Sequence, residues 1–201
     1  MKKIAIIALS VILILSAFCS CNKKDNRESS SINNIVFVNT NGFVAAIQEA
    51  KQKQNSGTEL TSDELILVGL ESVPYPTADF SEYSLKQIKV SQYYIVYEYS
   101  LLNGENSTEA DSGIVKDNKI TFTFNREPLE EGVDAFEILA KQYKNLFQVE
   151  VSQDGVIYVE EYAEMAFRVG QSWGYVTVPT QLNSYETMLP LCVYDVINVS
   201  E

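Results

Sequence analysis

Carboxylates are the residues best placed to do chemistry in this 201-residue chain, because it contains no histidine. That zero excludes Ser-His-Asp triads, Cys-His pairs and every histidine-containing metal site. The cysteines are Cys19, Cys21 and Cys192, too few and too scattered for a thiolate zinc site. There is no glycine-rich phosphate loop. The remaining catalytic routes are paired carboxylates and Ser-Lys chemistry. Glu160 and Glu161 are the natural candidates for the first, each needing a second acid from elsewhere in the sheet. As neighbours on a strand they point to opposite faces, so they are not each other's partner. A glycoside hydrolase would hold its two carboxyls about 5 to 10 Å apart across a cleft.

The same acids belong to a second pattern. Glu150 to Glu161 reads EVSQDGVIYVEE. Asp154, Gly155, Ile157 and Glu161 fall at positions five, six, eight and twelve of a loop that resembles a calcium EF-hand. Such a loop wraps oxygen ligands around a hard cation, and its glycine makes the sharp turn. Glu150 stands where the family has Asp, and Ser152 where it has a stronger ligand. No second EF-hand accompanies it; the similar 39–42 stretch fails at Phe37 and Gln48. Val149, Val151, Val156 and Val159 are β-branched, which favours a hairpin turning at Asp154-Gly155. The hairpin is the expected reading, and calcium binding through 150–161 is an alternative.

The elements that must position these residues follow from hydrophobic periodicity. Residues 35–38 read as a short strand. Asn41 would cap a helix reaching Gln54, with Phe43, Ala46, Ile47 and Ala50 on one face. Thr61 and Glu64 form a capping box, and residues 65–68 fit helix or strand equally. Pro74 and Pro76 are expected to break regular structure. Residues 85–90 and 93–99 alternate as two strands around Ser91-Gln92, followed by a loop at 103–106. In 120–124 the Ile and Phe residues point inward and Thr121 and Thr123 outward. Residues 129–147 form a helix with Phe136, Leu139, Ala140, Tyr143 and Leu146 or Phe147 buried. Its acids sit at the start and Lys141 and Lys144 near the end, matching the macrodipole. Strands follow at 149–151, 156–160, 165–169 and 175–178, the last two joined by a five-residue connection, 170–174. Asn183-Ser184 caps a short helix, and 192–199 fits helix or edge strand. The expected class is α+β, an antiparallel sheet packed with a few helices.

The first twenty-one residues fix the setting. Lys2 and Lys3 precede an apolar run from Ile4 to Phe18. The run is short for a membrane span, which needs about 20 apolar residues, and suits a secretory signal. It ends in Phe18-Cys19-Ser20-Cys21. This resembles the lipobox of bacterial lipoproteins, in which a small residue precedes the cysteine that becomes the acylated N-terminus. The resemblance implies cleavage after Ser20, lipid such as palmitate on Cys21, and attachment to the extracytoplasmic face of the cell membrane. Residues 1–20 are then signal peptide, 21–34 a flexible linker with Lys23 and Lys24 beside the bilayer, and 35–201 a single ectodomain. The succession from about 60 to 192 also resembles uncharacterised ectodomains of small Gram-positive envelope lipoproteins. That likeness implies an α+β fold and no assigned activity.

Cleavage leaves 13 basic against 27 acidic side chains, a formal charge of −14. So acidic a body repels phosphate backbones, which excludes nucleic acid as a partner. Cys192 is left without a disulfide partner and reads as a small buried apolar residue. No cofactor and no metal is expected. The functional expectation is a membrane-anchored surface lipoprotein that binds an envelope protein or glycan, or is structural. Trp173 with Tyr175, and Tyr97 with Tyr99, are the contact candidates. The alternatives are the carboxylate glycoside hydrolase and the calcium-binding domain.

Overall fold

The computed structural model describes residues 34–79, 81–102, 118–126 and 131–199. Cys21, the leader, the linker up to Asn33, the 103–106 loop and residues 129–130 of the expected 129–147 helix lie outside these residues; the rest of that helix begins later than expected, at Ala135, because 131–132 turn and Asp134 caps it. The observed strands are β1 (Ile35–Phe37), β2 (Ser72–Pro76), β3 (Tyr83–Val90), β4 (Tyr94–Leu101), β5 (Lys119–Asn125), β6 (Val156–Val159), β7 (Glu164–Val169), β8 (Ser172–Thr177) and β9 (Tyr194–Asn198). The helices are α1 (Thr40–Asn55), α2 (Ser62–Val68), α3 (Ala135–Phe147) and α4 (Tyr185–Met188). Seven strands form one antiparallel sheet in the order β1-β3-β4-β5-β8-β7-β6, and β2 pairs with β9 in a separate ribbon. The fold is α+β and mostly β. Among the described residues no helix is long and apolar enough to cross a membrane.

Local chemistry explains most of the boundaries. The Thr61 capping box forms in full, with Thr61 N–H donating to Glu64 Oε2 at 2.8 Å and Glu64 N–H donating to Thr61 Oγ1 at 3.2 Å. It commits residues 65–68 to helix. Asn39, not Asn41, caps α1, its side chain accepting from Gly42 N–H at 2.7 Å. The 165–169 and 175–178 strands meet in a tighter hairpin than expected. Val169 pairs with Ser172, so the connection is Gly170-Gln171 alone. Gly170 has φ +60°, the conformation a type II′ turn asks of its first central residue.

Two expectations are corrected by pairing. Pro74 and Pro76 do not break the chain; they lie within β2, on the edge of the ribbon, where a missing N–H costs nothing. Residues 149–151 are not a strand, and no hairpin forms across Asp154-Gly155. The turn there, with Gly155 at φ +74°, leads into β6, which pairs only with β7.

The two faces of the large sheet are covered differently. On the first face Ile88, Ile95, Tyr97, Phe122, Phe124 and Met165 are buried against Phe43 and Ile47 of α1, Leu67 of α2, Val73 of β2 and Met188 of α4. Gly174 belongs to this face, and a Cβ there would lie 2.8 Å from Phe167 Cζ and 3.2 Å from Phe124 Cδ1. It is glycine because two rings occupy its space. On the second face α3 lies over β6, β7 and β8, burying Phe136 against Ile157, Val159 and Ala166. Leu139, Ala140, Tyr143 and Phe147 complete the stripe, whereas Leu146 is exposed.

Candidate functional site on the second face of the sheet

The residues with the most chemistry gather where α3 meets this second face. Strand register sets them in rows. One row runs Val96, Thr123, Tyr175, Ala166, Ile157 across β4, β5, β8, β7 and β6. The next runs Gln87, Glu98, Thr121, Thr177, Glu164, Val159, starting from β3. Residues opposite one another on neighbouring strands share a face, so each row is a continuous strip of side chains.

An aromatic chain crosses these rows. Trp173 and Tyr175, two apart on β8, stack with ring centroids 5.6 Å apart and planes at 20°. Tyr94 of β4 lies 6.2 Å from Trp173, and Tyr93 lies 6.5 Å from Tyr94. Trp173, Tyr175 and Tyr94 are half-buried. Burial pushes the Tyr175 hydroxyl up to about 12, against an opposing hydrogen bond with Thr123. Thr123 itself is buried rather than solvent-facing, because Tyr175 sits opposite it.

The other two contact candidates lie elsewhere. Tyr97 is 1% exposed in the core of the first face, and its hydroxyl donates to the Pro74 carbonyl at 3.0 Å. Tyr99 packs edge-on against Phe122 on the same face, at 5.7 Å. The sequence pairs Tyr97 with Tyr99 correctly on one side of a strand, but period two alone does not say which side is wet.

Two acids on this face were not singled out by sequence, and their surroundings pull them apart. Glu98 accepts from Lys89 Nζ and from Gln87 Nε2. Burial opposes its charge, yet these bonds and the Lys89 charge outweigh it and hold the carboxyl below its usual range. Glu164 sits under α3, where the Tyr143 hydroxyl donates to it. Burial raises its carboxyl above the usual range, and the Tyr143 bond only partly offsets that. Opposite shifts in two carboxyls can mark an acid and a base. Here they are separated by three strand steps, about 14 Å. Each is also engaged by a different partner, Glu98 by Lys89 and Gln87 of β3 and Glu164 by Tyr143 of α3. That spacing exceeds what either stereochemistry of glycoside hydrolysis uses. The available signal for Glu164 was an acid set directly against the apolar Met165-Ala166-Phe167.

The sequence-predicted acids are dispersed. Glu160 and Glu161 lie in a 3₁₀ turn, Glu160–Tyr162, and both are exposed. The strand alternation expected of them does not apply. In the 150–161 stretch, Glu150 pairs with Lys144. Tyr185 donates to Asp154, and its hydroxyl is 3.0 Å from Ser152 Oγ. The extended β6 then carries the chain roughly 13 Å before Glu161 is reached, and Ile157 is buried in the core. Among the described residues no three Asp, Glu, Cys or His side chains converge as a metal site. Cys192 is half-buried, and burial pushes its thiol up to about 12, the environment of an unreactive thiol.

One end of α3 is fixed by charge. Asp134 caps the helix, accepting from Glu137 N–H at 3.0 Å. Arg168 of β7 pairs with Asp134 and with Glu137, the latter at 3.0 Å, and lies over the Phe136 ring at 4.6 Å from its centroid. The acidic start of the helix is therefore a clamp onto the sheet as well as a complement to the dipole. Comparison with protein-family models, with curated proteins and with solved structures gave no match.

Proposed function

We propose that this protein is a lipid-anchored module of the cell envelope, carried on the extracytoplasmic face of the membrane by acylated Cys21, and that it acts by binding. The observation that carries the binding role is the Tyr94–Trp173–Tyr175 chain on the sheet face beside α3. Half-buried aromatics beside the half-buried Thr121 and Thr177 offer apolar ring surface next to hydrogen-bonding groups. An envelope protein or glycan is the partner class this suits. The acids nearby support the reading, because they are engaged in structure: Glu98 with Lys89 and Gln87, Glu164 with Tyr143, Asp134 as a cap.

The two halves of the proposal are tested separately. Cys21→Ala should abolish incorporation of labelled fatty acid and leave the precursor uncleaved or the protein released. Continued labelling of that variant removes the anchor from the proposal. The chain has one tryptophan, so its emission reports on Trp173 alone. Soluble cell-wall glycan fragments, or a crosslinked envelope protein, should shift or quench that emission. Trp173→Phe should weaken retention by at least several-fold with folding unchanged. Full retention by Trp173→Phe moves the binding role off this face.

A further inference from the structure

The β2–β9 ribbon has two outer edges, and they are built differently. Thr77 N–H donates to the Val193 carbonyl and Val199 N–H to the Glu71 carbonyl, each at 3.1 Å. With the register Pro74↔Val196 and Pro76↔Tyr194, the backbone groups of 193, 195, 197 and 199 face β2. Alternation then turns those of Tyr194, Val196 and Asn198 outward on one edge, and those of Ser72, Pro74 and Pro76 outward on the other. The β2 edge is closed. Pro74 and Pro76 have no N–H to offer, and the Pro74 carbonyl is taken by the Tyr97 hydroxyl. The β9 edge is open. Among the described residues nothing hydrogen-bonds the outward N–H or C=O of Tyr194, Val196 or Asn198. Val196 is 52% exposed, and Asp195 and Asn198 are exposed beside it.

We propose that this open edge pairs with the same edge of a second copy of the chain, antiparallel about a two-fold axis at Val196, joining the two ribbons into a four-stranded sheet. Three features of the edge fit a second copy. The outward positions 194, 196 and 198 are symmetric about 196, so pairing 196 with 196 and 194 with 198 uses all of them. The facing side chains are compatible: Val196 meets Val196, a favourable β-branched pair, and Tyr194 meets Asn198. Asp195 falls opposite Ile197, so no like charges are directly opposed. The Tyr75 hydroxyl donates to Asp195 at 3.3 Å and draws its carboxylate back over β2. Two strands bury little area, so the pairing is weak and reversible. Each copy also carries a large negative charge, so association strengthens as salt screens the repulsion.

The test is oxidative crosslinking of the full chain expressed in a bacterial host. Opposed hydrogen-bonded residues have Cα atoms about 5.5 Å apart, within reach of a disulfide. Val196→Cys should give a disulfide dimer at several times the yield of Val38→Cys, a control at a site that is 73% exposed. Val196→Lys sets two cations face to face at a half-exposed position outside the core, and should abolish dimer trapped by an amine-independent crosslinker. Val196→Pro removes the central outward N–H and should do the same. Equal disulfide yields at 38 and 196, or a dimer indifferent to Val196→Lys, overturns the proposal. So does a chain that remains monomeric at high salt while its β9 edge captures a foreign extended peptide.

Discussion

The two faces of the large sheet are stabilised by different means. The first is covered along its length by α1, α2, α4 and the ribbon, and its buried side chains are nearly all hydrocarbon. The second is covered over three strands by one helix, and its contacts mix rings with ion pairs and buried hydroxyls. The first face therefore carries the stability, and the second carries groups whose state responds to solvent, pH and ligand. A fold that divides its labour this way keeps a polar, adjustable surface without weakening the layer beneath it.

The sharpest way to break that contrast is to cut one ring from each side. Phe122→Ala, fully buried on the first face, should cost about 3 to 5 kcal/mol in denaturant unfolding and lower protection from hydrogen exchange across the whole sheet. Phe136→Ala removes a ring of equal size under α3. It should release protection chiefly in Ala135–Phe147, because α3 is held through one stripe and the Arg168 clamp. Equal global loss in both variants would falsify the division between the faces.

A smaller effect tests the packing of the first face by adding an atom. Gly174→Ala places a Cβ against Phe167 and Phe124, and overpacking of this kind costs roughly 1 to 3 kcal/mol. Phe167→Leu in the same chain should recover part of that loss, which thermal unfolding of the single and double variants would show. Smaller again is Thr61→Ala, which removes one half of the α2 capping box and should cost about 1 kcal/mol. The Lys53 ion pair and the Thr61 bonds also hold the Glu64 carboxyl at about 2. This support for α2 is complete above the ordinary carboxylate range and is lost as pH falls toward 2.

Much of the fold was legible because period two and period 3.6 are written into it. Residues 85–90 and 120–124 alternate, and each lies in a strand of the sheet, as does the apolar run at 165–167; the α3 stripe holds at every position except Leu146. The residues that misled are those whose neighbours decide. Pro74 and Pro76 read as breakers, since nothing local says that their missing N–H groups point off an edge. Thr123 reads as solvent-facing, since only the arrival of β8, about fifty residues later, puts Tyr175 over it. The candidate site was half legible. Trp173 and Tyr175 are conspicuous on one strand, but the row from Glu98 to Glu164 joins four strands distant in sequence. Glu160 and Glu161 drew attention as an acidic pair, yet a 3₁₀ turn sets both in solvent.

The mildest substitution reverses the sign of the others. Glu164 is half-buried beneath α3, and burial of its carboxyl raises it above the ordinary carboxylate range. The folded chain then binds this proton more tightly than the unfolded chain, so unfolding free energy falls as pH rises from the unfolded value through the folded one. Above that window the full penalty of a buried carboxylate is present. Glu164→Gln keeps the shape and still accepts from Tyr143, but has no charge to bury. It should match wild type below the window, gain stability over it as pH rises, and then level off. The measurement is the difference in melting temperature between the two proteins from pH 4 to 9. A difference that stays flat would mean that the Tyr143 hydroxyl compensates the carboxylate in full, and that the second face is no more sensitive to pH than the first.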